Sequence, residues 1–179
     1  MAPLAGAFGG ATVLAPRRPL RQGAGYGWFE NRGIGRAVPE SVTEGIAAVD
    51  AWCREQVAPG CRIWLCGFSN GAAMAGALLL DRPARYAGAA LLNGPLVLGP
   101  PWGPPWPEGR LAGKPVFLAA GLFDPVIPPD MMNATREYLA TGSGAVFSGH
   151  SYGVAHEIAI GAVDDLRVWF AAARGLIAS

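Results

Sequence analysis

The sequence predicts an α/β domain, a mostly parallel sheet with helices on both faces, from three observations. Short, wholly apolar runs recur along the chain. Longer stretches between them repeat apolar residues every three or four positions. Glycine- and proline-rich turns separate the two kinds of segment. Continuous apolar runs mark strands buried on both faces, as in a parallel sheet, and their alternation with helices builds the layers. With 51% hydrophobic and 15% charged residues, 1–179 suits a single domain and excludes a disordered chain.

Residues 11–15 (ATVLA) read as the first strand. Over residues 39–57, Val42, Ile46, Val49, Cys53 and Val57 recur at helical intervals, and Pro39 suits the first turn. Residues 62–66 (RIWLC) read as a strand, followed by an Ala- and Leu-rich helix over 70–80. Residues 88–92 (GAALL), 116–120 (VFLAA) and 145–148 (AVFS) complete the strands. Helices are predicted over 129–139 and 161–173, the latter with Val163, Leu166, Trp169 and Phe170 on one face. Residues 95–109 contain PPWGPPWP, whose prolines favour a stiff extended loop suited to a lid or pocket wall.

The net charge of +1 provides no field to attract nucleic acid or an anionic membrane. The longest apolar run, residues 72–80, is far below the roughly 20 residues that span a bilayer. Residues 1–8 carry no basic segment and include Pro3, so no secretory signal is expected. Cys53, Cys61 and Cys66 lack C-x-x-C spacing, and His150 and His156 are the only histidines, so no zinc site is expected. Unpaired thiols suit a cytoplasmic protein.

Two G-x-S-x-G segments are present, around Ser69 (GFSNG) and Ser151 (GHSYG). A nucleophile elbow needs a strand before the serine and a helix after it, with glycines permitting the sharp turn. Ser69 has both, because RIWLC leads in and AAMAGALLL leads out. Chain order separates the two as well. In a hydrolase of this kind the nucleophile precedes the acid and the acid precedes the histidine. Ser69, Asp124 and His156 follow that order, each at the carboxyl end of a predicted strand, whereas no histidine follows an acid after Ser151. Asp81, Asp130, Asp164 and Asp165 are the competing acids and His150 the competing base. Asp81 and Asp130 sit at helix ends, and Asp164 and Asp165 in the first turn of the last helix. Only Asp124 lies in a loop after a buried strand.

The implied chemistry is acyl transfer. His156 takes the proton of Ser69, Asp124 orients the imidazole, and the backbone amide of Asn70 donates to the oxyanion. No metal or cofactor is required. Phe68, Trp28, Phe29, Leu98, Trp102 and Ile127 are the apolar candidates for contacting the acyl group. The absence of a basic cluster favours small neutral acyl esters over phospholipids.

Several stretches resemble the phospholipase/carboxylesterase family of α/β-hydrolases: ATVLAPRRP with GYGWFE, RIWLCGFSNGAAMAGALLL, YAGAALLNGPL, KPVFLAAGLFDPVIP and AHEI. The resemblance implies an α/β-hydrolase fold, the triad roles for Ser69, Asp124 and His156, hydrolysis of carboxylic esters (in some members lysophospholipids or thioesters), no cofactor, and a homodimer. Ala155 stands where the family has Gly before the histidine, and Asn70 where it has Gln. The family's first strand and the His-Gly loop that supplies a second oxyanion amide are expected to be missing, because the chain opens on APLAGAFGG, similar to the helix after that loop. Such a shortened fold leaves a bare sheet edge that favours pairing with a second copy. Gly23, Gly25 and Gly27 lie at the right edge of the sheet to offer a substitute amide. The residues also leave open an amide- or peptide-cleaving hydrolase, and a binding protein that keeps the triad without efficient turnover.

Overall fold

The computed structural model describes residues 2–17, 20–22, 25–97 and 106–176. Four parallel strands form the main sheet in the order β3-β4-β5-β6: β3 (Ile63–Phe68), β4 (Tyr86–Leu92), β5 (Pro115–Gly121) and β6 (Val146–Tyr152). A hairpin of β1 (Leu20–Gln22) and β2 (Gly25–Gly27) stands apart from it. The helices are α1 (Pro39–Gln56), α2 (Asn70–Asp81), α3 (Pro129–Glu137) and α4 (Ile160–Leu176).

The period-2 alternation of β4 and β5 sends side chains into two apolar layers. Leu91, Val116 and Leu118 join Val42, Ile46 and Val49 of α1 and Leu78 and Leu79 of α2. Ala90, Leu92, Phe117 and Ala119 face the other way, onto Ala162 and Leu166 of α4 and onto Leu4 and Ala7. Phe117, Leu118 and Leu166 are fully buried, and each such side chain contributes roughly 1.5–3 kcal/mol of transfer free energy. At the amino edge of the sheet Asp50 is buried and ion-paired by Arg54, Arg82 and Arg85, which ties α1 to the α2–β4 turn.

The apolar runs at 88–92 and 116–120 lie within β4 and β5, and the run at 62–66 becomes β3, which starts one residue later and ends two residues later. The helices begin within a residue of the expected positions. Four features differ. Residues 11–15 form no strand: the run has no ladder partner among the described residues, and Val13 and Leu14 remain nearly half exposed. An apolar run becomes a strand only when a neighbour takes its backbone hydrogen bonds. The last strand continues four residues past Ser148, through His150 and Ser151, because β6 is an edge strand whose side chains are half-exposed and tolerate polar residues. The third helix ends in a wide turn over Tyr138–Gly142. Asp164 and Asp165 lie in the second turn of α4, not the first, so they do not serve its N-terminus.

Most of the predicted lid loop, residues 98–105, lies outside the described residues, as do Leu98 and Trp102. Trp106 packs on Tyr138 with ring centroids 4.8 Å apart. Among the described residues, no helix is long and apolar enough to cross a membrane.

Candidate active site

The β3–α2 junction turns within one residue. Ser69 has φ 54° and ψ −121°, a conformation rarely held by a non-glycine residue. Its N–H donates to Leu92 O at 2.9 Å, and its carbonyl accepts from Ala72 and Ala73, so backbone bonds hold the strain from both sides. Gly67 makes the turn possible, since a Cβ there would stand 2.0 Å from Gly71 O.

The fold brings together three side chains spread over 87 residues. His156 Nε2 lies 2.8 Å from Ser69 Oγ, and His156 Nδ1 lies 2.7 Å from Asp124 Oδ2. A carboxylate can only accept, so Nδ1 carries the ring proton and Nε2 presents its lone pair to the Ser69 hydroxyl. Asp124 Oδ1 accepts from the amides of Val126 at 2.8 Å and Ile127 at 3.0 Å. Burial opposes ionisation of this carboxyl. The hydrogen bond with His156 and the two backbone amides outweigh it, so its pKa lies below the usual carboxylate value.

That depression has a stability consequence. A carboxyl with a lowered folded pKa contributes stability fully above its unfolded value of about 3.9 and loses it as pH falls through the folded value. The melting temperature of the native protein is therefore expected to fall more steeply between about pH 5 and 2 than that of Asp124→Asn. Parallel curves in calorimetry would contradict the assignment.

His150 and Ser151 belong to a different network. His150 Nε2 is 2.9 Å from Ser148 Oγ, its Nδ1 is 3.3 Å from Asp165, and its ring stacks on Phe117. Ser151 Oγ accepts from Arg136 at 3.0 Å inside β6, so the second G-x-S-x-G segment is strand and not elbow. Asp81 pairs with Arg82, and Asp130 sits in the first turn of α3. Desolvation pushes the thiol of Cys66, three residues before Ser69, up to about 12, which keeps it protonated and unreactive at neutral pH.

A cavity of about 100 Å³ adjoins Ser69 and Asn70, with apolar walls from Phe29, Ala37, Ala73, Leu96, Val97 and Ile127. Of the predicted contacts, Ile127 and Phe29 line it. Phe68 instead packs on His156 with ring centroids 5.0 Å apart, and Trp28 packs against the core. Its amide donates to Asn70 Oδ1 at 2.9 Å, which fastens the loop after β2 to the elbow. Gly25 and Gly27 pair with β1 in the hairpin, and Gly23 lies outside the described residues. The backbone amide of Asn70 is in the first turn of α2, where N–H groups have no intrahelical acceptor. A larger cleft of about 430 Å³, between Gly9 and Arg174, is lined by none of these groups. Among the described residues, no cluster of His, Cys, Asp and Glu could hold a metal ion.

Sequence reasoning missed Asn93. It follows β4 with φ 46°, is 3% exposed, and donates from Nδ2 to Ala155 O at 3.2 Å and Glu157 O at 3.1 Å. A lone polar residue closing a buried strand was the available signal.

Residues 14–171 match the family model described as Phospholipase/Carboxylesterase. Acyl-protein thioesterase 1 of Eremothecium gossypii is 31% identical over 137 residues, which cover 70% of this chain and 55% of that protein. The chain therefore spans little more than half the length of that relative. Among solved structures, the carboxylesterase of Bacillus cereus superimposes with a TM-score of 0.82 at 25% identity, covering 96% of this chain and 80% of that one. The carboxylesterase of Mesorhizobium loti gives 0.81 at 28% identity, with coverages of 94% and 80%.

Proposed function

The chain belongs to the phospholipase/carboxylesterase family of α/β-hydrolases, and on that premise we propose that it is a serine carboxylesterase acting on small neutral acyl esters. The observation that carries this reading is the unbroken relay from Asp124 through His156 to Ser69, with spacings of 2.7 and 2.8 Å.

In the first half-reaction His156 Nε2 removes the Ser69 proton while Oγ bonds to the acyl carbon. Negative charge moves to the carbonyl oxygen, towards the amide of Asn70. Asp124 stabilises the imidazolium, which then protonates the leaving alkoxide as the C–O bond breaks. Water, deprotonated by His156, attacks the acyl-enzyme. Acid and Ser69 are released, and the proton returns to Ser69.

The cavity supports the substrate class. Its walls are largely apolar, which suits an uncharged acyl chain. The similarity to a thioesterase makes thioesters the second substrate class to try, with lysophospholipids and amides completing the panel. A cytoplasmic location is part of this reading and is supported by three free cysteines.

The test is hydrolysis of p-nitrophenyl acetate and butyrate together with fluorophosphonate labelling. The expected result is turnover, with the label on Ser69 and loss of turnover on labelling. A folded protein that turns over no ester and never takes the label would instead be a binding protein, and the proposal would fail.

A further inference from the structure

We propose that Asn93 is a positioning residue that sets the catalytic histidine against the nucleophile, an inference that rests on the hydrolase reading above. His156 sits on a loop whose own backbone bonds are short-range, Glu157 N to Ala155 O at 2.9 Å and Val154 N to Tyr152 O at 2.8 Å, with Phe123 N donating to Val154 O at 3.1 Å. Its flanking carbonyls, Ala155 O and Glu157 O, both accept from the single Nδ2 of Asn93, at 3.2 and 3.1 Å. One amide group thereby clamps the backbone on each side of the imidazole, across 62 and 64 residues of sequence.

The same short segment holds the nucleophile. Leu92 O accepts from Ser69 N at 2.9 Å, and a Cβ at Gly94 would lie 2.3 Å from Ser69 O. Asn93 N donates to Ala119 O at 2.8 Å, extending the pairing with the strand that leads to Asp124. Residues 92–94 thus touch the frame of Ser69, the strand that leads to Asp124, and the loop of His156.

The residue type follows from the chemistry. Two carbonyl acceptors require a group with two N–H donors and no competing negative charge, which a side-chain amide supplies. The backbone φ of 46° disfavours most side chains but is tolerated by asparagine. Aspartate would keep the shape and the backbone preference, yet turn a carboxylate oxygen towards two carbonyls. Asn93 is absent from the described walls of the substrate cavity, so its effect belongs on turnover rather than on binding.

The experiment compares Asn93→Gly, which keeps the left-handed backbone, and Asn93→Asp with the native protein. Melting temperature and circular dichroism confirm that each is folded. With p-nitrophenyl butyrate, kcat is expected to fall roughly 10- to 100-fold with KM within about twofold, the scale of a misplacement near 1 Å. A residue that merely stabilises the fold would lower the rate of a His156→Ala background too. A positioning residue has nothing left to position there, so adding Asn93→Gly is expected to leave that residual rate unchanged.

A second readout needs no activity. The Nδ1 proton of His156, bonded to Asp124, is expected as a slowly exchanging downfield proton resonance in the native protein, and to be lost in Asn93→Gly. If the native protein shows the resonance but no esterase activity, its loss in Asn93→Gly would sustain the positioning role while the hydrolase reading failed. Native kcat and an intact resonance in Asn93→Gly would overturn the positioning role and leave the hydrolase reading standing.

Discussion

Ser69→Ala is expected to lower kcat on a short p-nitrophenyl ester by roughly 10⁶, the scale measured when the serine of a triad is removed. The geometry explains the size. Ser69 Oγ is the atom held 2.8 Å from His156 Nε2 on a strained turn, and the methyl group of alanine can neither form nor transfer an acyl ester. His156→Ala is expected to cost about as much, and the double variant little more than either single one, because the groups act as a unit. Asp124→Asn is expected to cost about 10⁴. Its amide would present N–H to Nδ1, drive the ring proton to Nε2, and set a donor where Ser69 needs an acceptor. All four variants should fold. Steady-state and burst kinetics with matched melting curves measure these effects. A Ser69→Ala protein that keeps more than a few per cent of native turnover would exclude the relay as the source of activity.

Gly67→Ala is expected to destabilise the fold by at least about 3 kcal/mol, beyond the usual range for overpacking. The added Cβ would stand 2.0 Å from Gly71 O, 2.1 Å from Gly71 C and 2.5 Å from Ala72 N, all backbone atoms. No rotamer change relieves contacts with backbone, so β3 and α2 must separate at the point where the elbow is made. In a domain of this size the melting temperature should fall by roughly 6–12 °C, or the variant should fail to accumulate as soluble protein. Gly175→Ala is the control. A Cβ there meets nothing within 4 Å, and alanine in a helix is worth about 0.5–1 kcal/mol over glycine, so that variant should be neutral or slightly more stable. Equal melting temperatures for Gly67→Ala and the native protein would mean that the elbow is not built as described.

The two networks around histidine show where reading the chain succeeds and where it stops. His156 is separable from His150 by its place on the loop entering the last helix, since His150 falls near the end of a predicted strand and both follow Asp124. That His150 is engaged by Ser148 and Asp165 follows from β6 running on past residue 148, and from α4 lying against it. An edge strand wetted on one side carries polar residues that a search for wholly apolar runs passes over. Residues 11–15 show the converse, an apolar run that has no ladder partner among the described residues. The β1–β2 hairpin, built from LRQ and GYG, carries no apolar run at all, and Trp28 beyond it, a candidate substrate contact, is partly buried against the core.

Local sequence determined the alternation of strands and helices and the sharp turn at Ser69, and it singled out Asp124 and His156 as the expected acid and base, because each depends on spacing within a strand, a turn or a helix. Tertiary structure alone decided which carbonyls hold the His156 loop, which apolar side chains wall the cavity, and which runs become strands. Those outcomes rest on contacts between residues tens of positions apart, such as Asn93 with Ala155 and Glu157. Such contacts form only after the chain has packed, and they leave no periodicity in the sequence.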